Sequence, residues 1–155
     1  MAKLAAIKCE INPANLEITM TQASRPDVDI EEDILNLVAH YPPLQADRYH
    51  FRCEVSAGVV TFTGHVKSLI SRRYLVDRAA QIRGVRSVDS KKLYTEEDIR
   101  LEAGRRIPTG VIANASYDAV ILTGTLPQGK TAEDVVKDVA VIPGVEHVVT
   151  KFPSA

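Results

Sequence analysis

The chain contains no tryptophan, and its aromatic side chains are 5 tyrosines and 3 phenylalanines. That scarcity speaks against a surface for single-stranded nucleic acid, which stacks bases on aromatic rings. It also speaks against deep aromatic anchoring in a membrane interface. Long apolar runs are missing too: nothing approaches the roughly 20 residues of a membrane-spanning helix. No charge of one sign dominates, since 19 basic against 20 acidic side chains leave a formal net charge of −1. Chain-wide attraction to polyanions is therefore not expected. The 2 cysteines, Cys9 and Cys53, stand far apart. The opening residues lack the apolar stretch of a secretory signal, and Lys8 before Cys9 does not suit a lipoprotein cleavage site. Two unpaired thiols and a cytoplasmic location are the expectation.

Catalytic signatures are also missing. There is no phosphate-cradling G-x-x-x-x-G-K-[ST] loop and no G-x-S-x-G turn. His40, His50, His65 and His147 stand at no recognised metal spacing to cysteines or acids. No nucleophile, base and orienting group are recognisable together. A non-enzyme without metal or cofactor is expected.

What is present is a repeat. Glu31-Glu32-Asp33-Ile34 returns as Glu96-Glu97-Asp98-Ile99. Val59-Val60-Thr61-Phe62-Thr63-Gly64 returns as Ala119-Val120-Ile121-Leu122-Thr123-Gly124, and Gly84-Val85-Arg86-Ser87-Val88 as Gly144-Val145-Glu146-His147-Val148. The last two pairs share an offset of 60, from 64 to 124 and from 84 to 144, whereas the first is offset by 65, from 31 to 96. The first helix of the second copy therefore starts five residues nearer its strand. Two copies of one small α/β unit fill most of the chain, and units of this size are marginal alone, so they should pack on each other or on partners.

Period and punctuation place the elements. Ile7, Cys9 and Ile11, then Leu16, Ile18 and Met20, alternate with polar residues around Asn12-Pro13-Ala14-Asn15. This predicts an amphipathic β-hairpin over 5–21, followed by a linker at Ser24-Arg25-Pro26. Asp29 is placed as the N-cap of a helix that Pro42-Pro43 stops. Tyr49 to Val55 and Val59 to Thr63 read as strands, the second ended by Gly64. Lys67 to Ile82 reads as a helix facing inward through Leu69, Leu75, Val76, Ala79, Ala80 and Ile82. Val85 to Tyr94 reads as a strand. The order then repeats: a helix capped by Thr95, strands Val111–Ser116 and Ala119–Thr123, a helix Thr131–Ile142 and a strand Val145–Phe152. The fold class is α+β, with helices on one face of small mixed sheets. The organisation expected is a hairpin extension at 1–25 and units at 26–94 and 95–155, with Val76, Val88, Val136 and Val148 buried.

Over residues 28–153 this pattern resembles the BON domain. The likeness rests on Val60-Thr61-Phe62-Thr63-Gly64 with Gly84-Val85-Arg86-Ser87-Val88, and on their second copies. The resemblance implies a binding module without an active site. Family members act at phospholipid membranes or envelopes, and one cytoplasmic member binds potassium.

The strongest charge asymmetry lies between residues 65 and 92. Lys67, Arg72, Arg73, Arg78, Arg83, Arg86, Lys91 and Lys92 oppose Asp77 and Asp89 alone. Such a stretch suits anionic lipid or an acidic partner. Arg105 and Arg106 add a smaller patch, also favourable at a helix C-terminus. The functional expectation is a binding protein that holds a protein partner or an anionic phospholipid surface. Its hairpin residues Ile7, Cys9, Ile11, Leu16, Ile18 and Met20 would contact another subunit of a homo-oligomer or larger assembly. A potassium-type ion-binding module and a structural subunit are the alternatives.

Overall fold

A computed structural model describes residues 25–153 in full and only the backbone at 7–12 and 17–22. Strands β1 (Ile7–Asn12) and β2 (Glu17–Gln22) pair antiparallel as a two-stranded sheet. Their register sets Cys9 opposite Met20 and Ile11 opposite Ile18. The turn expected between them, Leu16, and Ser24 of the linker lie outside the described residues.

The first unit runs α1 (Asp27–Ala39), α2 (Pro42–Asp47), β3 (Phe51–Ser56), β4 (Val59–Val66), α3 (Leu69–Ala80) and β5 (Ser87–Thr95). The second runs α4 (Glu96–Arg106), β6 (Val111–Ser116), β7 (Ala119–Gly124), α5 (Ala132–Ala140) and β8 (His147–Lys151). Each sheet has the order first, second, third strand: β3-β4-β5 and β6-β7-β8. The hairpin pair is antiparallel, and the strand after the helix joins in parallel. The right-handed crossover typical of such a connection lays the helix back on its sheet.

Each unit encloses its own core. Ile30, Ile34, Leu44, Val60, Phe62, Val66, Leu75, Ala79 and Leu93 form the first. Ile99, Ala103, Val111, Val120, Leu122, Val135, Val139 and Ile142 form the second. Alternation along β4 and β7 sends Val60 and Phe62, or Val120 and Leu122, inward.

Several sequence expectations need correction. α1 begins at Asp27 behind Pro26, with no side-chain cap. Asp29 is therefore not the N-cap but a first-turn residue. The Asp27 carboxylate accepts the amides of Ala57 and Gly58 across the unit at 3.0 Å each. Pro42-Pro43 ends one helix and opens another, because a proline is preorganised for the first helical turn. That short α2 occupies the extra residues by which the first unit exceeds the second.

Gly64 does not end β4, which continues to Val66. Val76, Val88, Val136 and Val148 are half-buried, not buried. On α3 the inward stripe is Ser71, Leu75 and Ala79, at i, i+4 and i+8, while Leu69 and Ala80 are exposed. Ser71 is polar yet faces the core, its hydroxyl bonded to Ser68 Oγ at 2.9 Å.

Candidate functional site

The ten basic residues do not form one patch. Lys67 lies at the junction of the units, its Nζ 5.8 Å from the Tyr117 ring centre. Arg78 covers the Tyr74 ring on α3. Arg83 and Arg86 lie in the connection from α3 to β5, and the Arg83 carbonyl accepts from Arg25 at 3.1 Å. Arg73 and Lys92 are exposed. Arg105 and Arg106 close the last turn of α4, and both bond Glu102, at 3.3 and 3.0 Å.

Three of the ten do converge. Arg72 from α3, Lys91 from β5 and Arg105 from α4 line one cleft of about 390 Å³. Its apolar lining comes from Leu93, Ile99, Leu101, Ile142 and Pro143, so both units contribute. Arg72 donates to the Ser90 carbonyl at 3.2 Å through Nη2, and its buried Nε has no partner among the described residues. A buried guanidinium N–H without an acceptor is costly and rare. Asp98 and Glu102 also reach the cleft, so its rim is cationic but not uniformly so. Thr95 lines it as well, yet its hydroxyl is used, accepting the Asp98 amide at 3.0 Å as the cap of α4. An arrangement of this kind can accommodate an anionic group beside an apolar side chain.

A polar junction also links the two units. Asp47, buried at the end of α2, accepts the Lys67 amide at 3.1 Å and the Tyr117 hydroxyl at 3.0 Å. Tyr117 stacks on His50, with ring centres 3.4 Å apart. Burial, then the bond to Asp47, pushes the Tyr117 phenol up to about 12. Tyr117 has φ of 52°, a left-handed conformation that costs about 1–2 kcal/mol for a residue with a side chain. Buried His65 donates through Nε2 to the Gly144 carbonyl at 2.5 Å. Gly144 has φ of 92°, and a Cβ there would strike the Tyr94 ring.

The sequence missed this junction entirely. Asp47, His50 and Tyr117 belong to no periodic pattern and are up to 70 positions apart. The one available signal was the five-residue excess between the copies, which marks α2. Two further groupings were also not legible. Asp118, Glu146 and His147 bring their donor atoms within 4.8 Å of one another beside the β6–β7 turn. Cys53 is a free thiol facing the first core, and burial raises it to about 11. The acidic run of α1 is used locally: Asp27 holds the β3–β4 turn and Asp33 pairs with Arg25 at 2.5 Å. Among the described residues no helix is long and apolar enough to cross a membrane.

No curated protein sequence matches the chain. Among solved structures it is similar to the C-terminal domain of CdsD, a structural protein of the type III secretion system of Chlamydia trachomatis. That likeness has a TM-score of 0.67 at 14% identity and covers 84% of this chain and 67% of that one. A second CdsD structure, also 14% identical, gives a TM-score of 0.35 over 80% of this chain and 91% of its own. The first of these is a likeness of fold, and it extends well beyond a single unit. The first unit is also recognised from its sequence: residues 26–93 match the model of the BON domain.

Proposed function

We propose that the chain is a non-catalytic binding module, built from BON-like units at 26–94 and 95–155, that takes an acidic segment of a protein partner into the cleft between them. The observation that carries this is the convergence of Arg72, Lys91 and Arg105, from three elements and both units, around an apolar floor. A carboxylate entering the cleft would meet the cationic side chains of Arg72, Lys91 and Arg105, and charge-assisted bonds of that kind are about twice as strong as neutral ones. A leucine-sized side chain fills the floor. A flat lipid surface is served less well, because the remaining basic residues point to separate places. The hairpin at 1–25 is read as the element that ties copies of the protein into an assembly. Occurrence of a similar fold in a structural protein of a secretion system is in keeping with such a role.

The test is fluorescence anisotropy with a labelled peptide of alternating aspartate and leucine. Binding should be seen at low salt and fall as salt rises, since exposed charges are screened over roughly 8–10 Å at physiological ionic strength. Arg72→Glu with Lys91→Glu should weaken it by about tenfold or more, the equivalent of 1.4 kcal/mol. A peptide that binds both proteins equally, or neither at low salt, overturns the cleft. Vesicles containing phosphatidylserine form the second arm. Vesicle binding abolished by Arg73→Glu with Arg78→Glu, without peptide binding, would transfer the function to lipid.

A further inference from the structure

The repeat supplies an internal control on the outward faces of the two sheets. In the first sheet the register aligns Glu54, Thr61 and Asp89 across β3, β4 and β5, with Arg52 beside them on β3. In the second, the same 60-residue offset puts Asn114, Ile121 and Val149 in that row and Ile112 at the position of Arg52. Three polar residues of one copy are thus replaced by three β-branched apolar ones in the other. The fold itself does not require them, because the first unit forms the same sheet with arginine, threonine and aspartate there. Nor do they serve the second core, from which all three are absent. Ile112 is 57% exposed and Val149 42% exposed in the single chain.

One segment of the chain has the complementary deficit. The hairpin β1–β2 hydrogen-bonds to neither three-stranded sheet. Its register sets apolar positions opposite each other, Cys9 with Met20 and Ile11 with Ile18. An isolated two-stranded hairpin is marginal in water and needs a surface to lie on. Sheets pack face to face about 10 Å apart when both inner faces are apolar.

We infer that the N-terminal hairpin of one copy seats on the outward face of the β6–β7–β8 sheet of a second copy, over Ile112, Ile121 and Val149. This rests on the reading that the hairpin ties copies together, and it names the surface that receives it. Ile112 and Val149 are exposed in the single chain, so the occupant is drawn from another copy. Reciprocal seating of two copies closes a twofold dimer; seating in one direction only would continue into a chain of copies.

The experiment uses the full chain with substitutions on the sheet face and on the hairpin, and measures mass in solution by light scattering at 100 micromolar. The wild type should exceed the 17.0 kDa monomer. Ile121→Asp with Val149→Asp should return it to monomer, with circular dichroism unchanged. Ile18→Asp, on the hairpin, should do the same. If Ile18→Asp dissociates the assembly and the sheet variant does not, the seat is wrong while the hairpin reading stands. If neither changes the mass, or the wild type is monomeric, the hairpin reading fails along with the seat. Val149→Cys supplies a check that does not depend on stability. With native Cys9 and a mild oxidant it should give an interchain disulfide, seen as a dimer in non-reducing electrophoresis. Fully monomeric protein after oxidation overturns the proposal.

Discussion

At the scale of single residues, Tyr117 shows how one side chain can join two units. Its position in a two-residue turn gives it a left-handed backbone, and the repeat offset relates it to Ala57, with φ of 49° in the first unit. Only in the second unit does the residue carry a ring long enough to reach Asp47 and His50. The neutral phenol is the form that donates to Asp47, so the native state favours it. Its folded pKa, about 12, stands above the ordinary value of 10.0. The resulting stability is fully present below pH 10 and is lost as pH rises through 12. Tyr117→Phe should therefore lower stability at neutral pH by about 1–3 kcal/mol, the cost of leaving a buried acceptor unpaired. It should also flatten the loss between pH 10 and 12, read from urea midpoints at each pH. Cys53 adds a loss of the same sign from pH 9.0 to about 11, which that substitution leaves in place.

At the scale of elements, the glycine after Thr63 shows what a motif can and cannot say. Gly64 and Gly124 occupy matching places and have φ of 113° and 99°. β7 stops at its glycine, whereas β4 runs two residues further to pair His65 with Tyr94 and Val66 with Thr95. The longer strand is what carries β5 up to the start of α4, and with it the connection between the units. A Cβ at Gly64 would collide with the His50 carbonyl and stand 2.7 Å from the Phe51 Cα. Neither is a flexible side-chain end. Gly64→Ala should cost roughly 2–4 kcal/mol, combining positive φ with backbone overlap. Gly104→Ala meets open space inside α4 and should be neutral or stabilising by up to about 1 kcal/mol. Thermal melts of the two variants side by side check the contrast.

At the scale of the whole molecule, two small cores become one body through polar contacts, with little shared apolar packing. Asp47 is central, since its two carboxylate oxygens bind Lys67 and Tyr117 from either side of the junction. Calorimetry of the wild type should show the two units melting together. Asp47→Ala leaves a part-buried amide and a part-buried phenol without acceptors and should separate the melt into two transitions. The same variant should weaken peptide binding, because Arg72 and Lys91 stand on one unit and Arg105 on the other. A single unchanged transition in Asp47→Ala would show that the units are coupled some other way.

How much was legible follows from the range of each interaction. Helix and strand identity came from periods of 3.6 and 2, which are local, and the offset of 60 anticipated two three-stranded sheets of the same strand order. Thr95 was recognisable as a cap, because a cap and its amide are three residues apart, whereas Thr131, expected inside its helix, proves to be the cap. The buried stripe on α3 lies about 60° round the helix from the expected one, at 100° per residue, since a serine bonded within its own first turn still faces the core. Of the ten basic residues, the sequence identified the charge but not the grouping. Arg72, Lys91 and Arg105 meet through sheet order and the docking of one unit on the other, and neither is a property of spacing. Two small α+β sheets and most of their elements follow from local sequence, because backbone propensity and binary pattern act over a few residues. Which cations share a cleft, which carboxylate is buried and which sheet face is left apolar in the open depend instead on contacts between residues tens of positions apart, and so emerge with the folded chain.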